Sequence, residues 1–576
     1  MNRALTLILL LSLAGLIWFS HRLAGVRIYH ADECQNVSMA RIIATGQTKA
    51  FYTEAGLFQT GVLGWLARGA TQSADIFVPA RFVMLEIFWL NVVLIALATG
   101  ERLLSRRGLI ALVGAATLAP LWDFGFEIRP DNLLLCGVLL IWCAVRVRPK
   151  GLQPYVIAGA LAVGLQFVAF KAIAFTLPIS AAILAFPPPG QRASRRKLAF
   201  AWAAGALGMF VIIRLVYGAA GLWDVYMADL GRVLGDATKG NRFGPWEALG
   251  RLLGETPLLL AFMAAALVAA AADLRRRGKA AVTWDGPLPE ALLFLCGLVA
   301  LLINPAPEPY NLLHLVPYAF LFAFRYAASG LLKEIWGRLA LRPVFVALLV
   351  FAYLIPFGLA TRRHLGFTNY HQEARMRLAE ALTDPARDPV YDGIGIVPTR
   401  ASIHFWWVLP NGNRPSLAEE GGLRVRDMLA ARPAAVFIPN YRTDWLPEAD
   451  HAFIRERYVS LTDDFWVLGK VLPAGGGTFE VVHPGRYRIS SLEGSDLAGT
   501  YPGGLAGLMA PAVEGSVIGT LDGVPLSKHP VELLVGTHRV ETKPDCQPAV
   551  VWMGPRQERI GRLGDSDHRF LFVRWY

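Results

Sequence analysis

Four short polar segments interrupt an otherwise apolar chain, and their side chains are of the kinds that move a group off a phosphate. YHADECQNVSMARIIATG (29–46) carries Asp32 and Glu33, and WDFGFEIRPDNLL (122–134) carries Glu127, Arg129 and Asp131. Lys171 stands in FVAFKAIAF (167–175), while NPAPEPYNLLHLVPY (304–318) holds Glu308, Tyr310 and His314. Ionisable groups beside long apolar stretches are costly, which makes them functional candidates by default. The chemistry they suit is transfer of a group from a lipid phosphate to an acceptor hydroxyl. Such a step needs a carboxylate to take the acceptor's proton. It also needs cations that hold the phosphate and stabilise its leaving charge. Asp32 is the candidate base. Glu33, adjacent on a helix, faces elsewhere or orients the acceptor. Lys171 and Arg129 are the phosphate candidates, with His314 and Tyr310 behind them, and Glu127 and Asp131 would hold Arg129 in place. Each segment also has a local explanation. An Asp-Glu pair can open a helix, Pro130-Asp131 can stop one helix and start the next, Lys171 can reach the headgroups, and His314 alone suits a structural role. Their occurrence on one side of a membrane is what favours a shared site.

The elements that position these residues are apolar helices. Of the 576 residues, 54% are apolar and only 17% charged, against about 25% in soluble domains. That deficit excludes disorder and argues against an ordinary soluble enzyme. Apolar spans are expected at the N-terminus to about Phe19 and near 79–99, 108–122, 132–146, 153–169, 172–187, 198–217, 257–272, 287–303, 312–328 and 343–360, about eleven in all. The first reads as a retained helix, because no small-residue cleavage site follows it. Basic clusters at Arg102, Arg106 and Arg107, at Arg146, Arg148 and Lys150, and at Arg192, Arg195, Arg196 and Lys197 alternate with the polar segments. Those at Arg275, Arg276, Arg277 and Lys279, and at Arg325, Lys333, Arg338 and Arg342, continue the alternation. The positive-inside rule places them all in the cytoplasm with the N-terminus. The net charge of +12 is then accounted for by cytoplasmic loops and does not imply nucleic acid. An odd number of spans puts the C-terminal region outside.

Two long outer features follow from this topology, the loop 24–78 and the tail 362–576. PAAVFIPN (433–440) and DDFWVLGKVL (463–472) read as strands and 444–458 as a short helix, so an α/β unit is expected over 362–473. After PAGGG (473–477), short β-rich runs with turns at Asp522-Gly523 and Val535-Gly536 predict a small sandwich-like domain over 474–576. Its aromatics Tyr487, Trp552 and Trp575 would stack on glycan or pack the tail onto the membrane region, and Tyr391 and Asp392 stand where the tail begins. Of the five cysteines, Cys136, Cys143 and Cys296 read as small buried side chains. Cys34 and Cys546 are the only pair outside the membrane, with nothing local to support a bridge.

Taken together, the motifs resemble the integral-membrane glycosyltransferases of the GT-C class, most of all the branch with protein O-mannosyltransferases and lipid A aminoarabinose transferases. The matching pieces are Asp32-Glu33 with the following ARIIATG, Arg81 near the start of the second span, EIRPD (127–131), Lys171 and PYNLLHLVPY (309–318). They cover roughly residues 1–360. The resemblance implies a polytopic GT-C catalytic domain over 1–361 and an inverting transferase that takes a monosaccharide from a polyprenyl-phosphate donor. Asp32 matches the base position, and Lys171 and Arg129 match positions tied to the donor phosphate. No cofactor is expected, since relatives of this branch often need no metal, whereas oligosaccharyltransferases of the class do. Glu308 and His314 sit in surroundings unlike either named subgroup, and the two-part tail is larger than a minimal member needs. The acceptor is therefore open among an envelope glycan, a glycolipid and a protein. The implied location is a bacterial inner membrane with the tail in the periplasm. Two other classes are a flippase of lipid-linked glycan and a non-catalytic envelope protein that binds glycan. The first predicts mid-membrane charges and repeated halves, neither of which is evident. The second predicts replaceable Asp32 and Lys171.

Overall fold

The computed structural model describes residues 2–48, 54–147, 151–185, 187, 191, 193–237, 245–278, 288–303, 307–327, 343–403, 424–491, 518–527, 529–556 and 571–572. Outside them lie Arg148, Lys150, Arg192, Lys279, Lys333, Arg338, Arg342, Trp575 and most of the expected strand 570–576.

The helical N-terminal region runs α1 (Asn2–Val26), α2 (Ala31–Ala44), α3 (Gly64–Arg68), α4 (Ala74–Ala98), α5 (Arg106–Ala116), α6 (Ala119–Phe124), α7 (Pro130–Val147) and α8 (Gln153–Gln166). It continues with α9 (Ile173–Ala185), α10 (Arg195–Ala219), α11 (Trp223–Ala237), α12 (Trp246–Glu255), α13 (Pro257–Arg277), α14 (Leu288–Ile303) and α15 (Val316–Ala327), then the helix Pro343–Leu365. Among the described residues four helices are long and apolar enough to cross a membrane: Arg3–Val26, Ala74–Ala98, Arg195–Ala219 and Pro257–Arg276. Pro130–Val145, Phe170–Ala185 and Glu290–Ile303 are shorter apolar helices. α1 leaves Leu7, Ile8, Leu11 and Trp18 exposed, a surface that suits lipid rather than water. The expected span 108–122 is two helices. Thr117 turns its hydroxyl back onto the Val113 carbonyl at 2.8 Å, and Pro120 in the first turn of α6 cannot donate to the preceding helix.

Between α10 and α13 lie α11 and α12, which the sequence reading did not separate from the loops. α12 buries Ala248 and Leu252 while Arg251 reaches Asp123 on α6 at 2.9 Å.

Behind the helices, the tail opens with the helix Tyr370–Leu382, whose Gln372 brackets the backbone of Tyr29 with bonds of 2.7 and 2.9 Å. The strands are β1 (Val390–Tyr391), β2 (Val436–Phe437), β3 (Tyr458–Thr462), β4 (Phe465–Val471), β5 (Gly476–Val481) and β6 (Gly485–Ser491), followed by β7 (Gly519–Leu521), β8 (Val524–Pro525), β9 (Val531–Leu533), β10 (Gly536–Thr542) and β11 (Pro548–Trp552). One sheet has the order β1-β2-β4-β11-β6-β9 with β3 also on β4, and a second has the order β5-β10-β7-β8. β1 and β2 are parallel. Strand β4 pairs with β11, so one sheet joins strands from both sides of residue 473. The Asp522-Gly523 turn has both residues at positive φ, 52° and 81°, and closes the β7–β8 hairpin with the twist that two-residue loops favour. Tyr487 and Trp552 are cross-strand partners and are 3% and 2% exposed. They therefore pack in the tail's interior and are not available to stack on glycan. Cys34 and Cys546 are free thiols.

Candidate active site

Asp32 and Glu33 open α2, and the start of that helix separates their roles. His30 caps it: its ring Nδ1 accepts the Asp32 N–H at 3.3 Å while the Glu33 carboxylate accepts the His30 N–H at 2.7 Å. This reciprocal box satisfies two of the helix's unpaired donors. It turns Glu33 inward and leaves Asp32 at the rim.

Glu33 is fully buried. Its oxygens accept two bonds from Arg81, at 2.6 and 2.5 Å, and the Ile128 N–H at 2.9 Å. With the His30 N–H, four donors fill the lone-pair sites of one carboxylate. Arg81 also donates to the carbonyls of Arg27 at 3.0 Å and Ile28 at 2.8 Å. The pair thus fastens α4, the α1–α2 junction and the 122–134 segment together. Beside it, Glu127 binds Arg27 at 2.6 Å and lies 3.8 Å from Arg129. Arg27 is its nearer cation.

Asp32, by contrast, is 29% exposed. Arg129 Nη1 lies 2.8 Å from Oδ2, Arg442 Nη2 3.8 Å from Oδ1 and His30 Nδ1 3.9 Å from Oδ2. Burial alone would raise the carboxyl's pKa, but Arg129 first, with His30 and Arg442, outweighs it and holds Asp32 below the ordinary carboxylate range. Burial, with Arg129 and Arg442, pushes His30 down to about 4, so its ring is neutral near pH 7.

Lys171 lies in the single-turn helix Phe170–Ala172 between α8 and α9, and Tyr310, Asn311 and His314 lie in the 3-10 turn Pro309–His314 before α15. The Arg129 guanidinium sits 3.6 Å from the centre of the Tyr310 ring, and Lys171 Nζ lies 4.8 Å from the same point. Both cations thus meet one ring, whose negative π-charge attracts each of them. Lys171 donates to Asn311 Oδ1 at 3.1 Å and forms an ion pair with Asp131. Asp131 also receives His314 Nε2 at 3.2 Å and lies 3.7 Å from Arg129 Nε. Glu308 precedes the turn, and its carbonyl accepts from Asn311 Nδ2 at 2.9 Å. Its carboxyl is raised by burial and by the charge of Asp32, against the pull of Arg129 and Arg442.

The four segments singled out in the sequence thus meet around Arg129 and Tyr310. Arg442, His30, Asn311 and Arg27 belong to the same neighbourhood and were not anticipated. Arg442 is 5% exposed and is held between Tyr441 and Trp445, its guanidinium 5.3 and 5.0 Å from their rings. The usable signal was NYRTDW (440–445), an arginine flanked by aromatics just past a parallel strand, where open α/β sheets place ligand-binding loops.

No protein-family model and no curated protein matches the chain. Among solved structures it is similar to the oligosaccharyltransferase of Archaeoglobus fulgidus in complex with Zn and sulfate, with a TM-score of 0.44 and 12% identity over 81% of this chain and 72% of that one. It is likewise similar to the archaeal oligosaccharyltransferase AglB from Archaeoglobus fulgidus in complex with an inhibitory peptide and a dolichol-phosphate, with a TM-score of 0.45 and 11% identity over 83% of this chain and 73% of that one.

Proposed function

We propose that the chain is a multi-pass membrane glycosyltransferase of the GT-C type. It would transfer a monosaccharide from a polyprenyl-phosphate donor to a glycan, glycolipid or protein of the cell envelope on the outer membrane face. The observation that carries this reading is the pairing of one partly exposed carboxylate, Asp32, with a cation, Arg129, that stands on the same aromatic ring as Lys171. In the reaction, Asp32 takes the proton from the acceptor hydroxyl as its oxygen attacks the anomeric carbon. The bond from that carbon to the phosphate oxygen breaks on the opposite face, which inverts the configuration. Arg129 and Lys171 hold the phosphate and stabilise the charge it gains on leaving. Arg129 is shared. Before donor binds it neutralises Asp32, and a donor phosphate that draws it away raises the basicity of Asp32 when a base is needed. No metal enters this scheme, because the cations at the phosphate are side chains.

The test uses purified full-length protein in nanodiscs with radiolabelled polyprenyl-phosphate sugars and total envelope acceptors. The expected result is transfer by wild type and at least ~100-fold less by Asp32→Asn, with fold and donor binding retained. Equal transfer by both would remove Asp32 as the base and turn attention to Glu308, since Glu33 has its oxygens occupied. Absence of donor binding across the polyprenyl-phosphate sugars would sink the transferase reading itself.

A further inference from the structure

A polar cavity lies between the later turns of α2 and the loop that follows β1. It measures about 120 Å³ and is lined by Ser38, Arg41, Thr45, Asp392, Thr399 and Ser402, among others. One water needs roughly 10–15 Å³ by this measure, so the space suits a ligand on the scale of one sugar ring. None of its lining belongs to the Asp32 cluster.

Its walls are built rather than incidental. Ser38 Oγ donates to the Gly395 carbonyl at 2.7 Å, fastening α2 to the loop. The Asp392 carboxylate accepts the N–H groups of Ile394, Gly395 and Ile396 at 2.7, 2.5 and 2.8 Å, which folds the loop back on itself. Arg400 is committed to its own surroundings, Thr383 Oγ1 at 2.7 Å and the Glu380 carbonyl at 2.7 Å among them. Arg41 differs. Its Nη1 donates to the carbonyls of Ala67 and Arg68, and among the described residues no hydrogen bond is made by its Nε or Nη2. That edge of a guanidinium is a fork matched to two oxygens of a carboxylate or phosphate. Anchoring at Nη1 fixes the fork before a ligand arrives.

The cavity also has a defined relation to the candidate active site. Asp32 and Arg41 are nine residues apart on one helix, about 13 Å along its axis. The loop after β1 builds the cavity, the loop after its parallel neighbour β2 carries Arg442 to Asp32, and Asn440 Nδ2 bonds the Asp392 carbonyl at 2.6 Å, tying the two loops together. Carboxyl ends of parallel strands are where such sheets hold ligands.

We propose that this cavity binds an anionic saccharide unit, one bearing a carboxylate or phosphate on Arg41, as the distal subsite for the acceptor. The ligand class rests on the cavity, and its role as an acceptor subsite rests on the transferase reading. Arg41 supplies the fork, and the hydroxyls of Thr45 and Ser402 line the same space for sugar hydroxyls. Asp392 is turned onto backbone N–H groups, which reduces its repulsion of an incoming anion.

The experiment is a binding titration of full-length protein in detergent with glucuronate, glucose 6-phosphate, glucose and an acidic tripeptide as probes, for wild type, Arg41→Gln, Arg41→Lys and Asp32→Asn. Wild type is expected to bind glucuronate or glucose 6-phosphate at least ~10-fold tighter than glucose, and Arg41→Gln to lose that margin, about 1.4 kcal/mol. Whichever anion binds identifies the source of the charge. Arg41→Lys, which keeps charge without the fork, is expected to fall between them and serves if Arg41→Gln does not fold. Asp32→Asn is expected to bind as wild type does, so failure of the base assignment and failure of this subsite read separately. Equal affinity for glucose and the anions, wild-type binding by Arg41→Gln or by Arg41→Lys, or binding of the acidic tripeptide alone would each overturn the proposal.

Discussion

Asp32 and Glu33 are neighbours in sequence and opposites in use. Glu33 belongs to a closed set in which charge and hydrogen-bond capacity are matched: Arg81 on two sides, backbone N–H groups on the others, and both side chains wholly buried. Asp32 belongs to an open set. Three basic groups surround it at 2.8 to 3.9 Å, it keeps 29% of its surface, and its main partner Arg129 is shared with Tyr310 and with the carboxylates of Glu127 and Asp131. A closed set resists change because removing one member strands the other in low dielectric. An open set can exchange a partner for a ligand. The difference separates scaffold from site more sharply than residue type does, since both sets are made of arginines and acids.

The largest effect that would break this contrast is on Glu33. Glu33→Gln leaves Arg81 buried without its charge partner and is expected to destabilise the membrane region by roughly 3–5 kcal/mol, read as lost monodisperse protein and a lowered Tm. A stable, active Glu33→Gln would end the scaffold assignment. Asp32→Asn comes next, with stability little changed and the ~100-fold loss of transfer set out above.

Arg129→Lys is expected to raise the donor KM about 10-fold, because a point charge replaces the planar fork stacked on Tyr310. A donor KM unchanged by that substitution would remove Arg129 from the phosphate. Arg442→Gln should act more gently, through Asp32. Transfer requires Asp32 unprotonated, so the rate is lost as pH falls through its pKa, which Arg442 helps to depress. Losing that cation lets the pKa rise, and the acid limb of the pH–rate profile should move to higher pH. An unmoved limb would mean that Arg442 does not act on Asp32. The smallest effect concerns metal: chelation is expected to change transfer by less than about 2-fold, because side-chain cations hold the phosphate. A collapse on chelation would require a divalent ion at the carboxylates.

Much of the site was legible in the sequence because lipid makes polar residues conspicuous. A lysine in FVAFKAIAF or an arginine in EIRPD stands out against the apolar residues around it. The choice of Asp32 over Glu33 was made from the resemblance and from adjacent helical residues facing apart, but the contacts that separate the two acids were not legible. They turn on the unusual cap His30, which rotates one acid under the helix and leaves the other at its edge. Arg442 was harder to read for another reason, its one local signal being the aromatics that flank it in NYRTDW. It approaches Asp32 from 410 positions further along the chain, in a soluble unit where an arginine is unremarkable. The expected division at 473 likewise rested on a glycine run, PAGGG, that marks a turn between strands, while pairing of β4 with β11 is a long-range event no local signal reports.

What the sequence determined by itself is the apolar helical region, the polar segments that interrupt it and the kinds of chemistry their charges allow, because transfer free energy acts residue by residue. What only the tertiary structure decided is which charges are satisfied and which are left to meet a ligand. Glu33 is saturated by groups from α4 and the 122–134 segment, Arg41 is anchored at one end by the carbonyls of Ala67 and Arg68, and Arg442 is delivered by the tail. Satisfaction of a charge is a property of distance, and distance between remote segments exists only once the chain has folded.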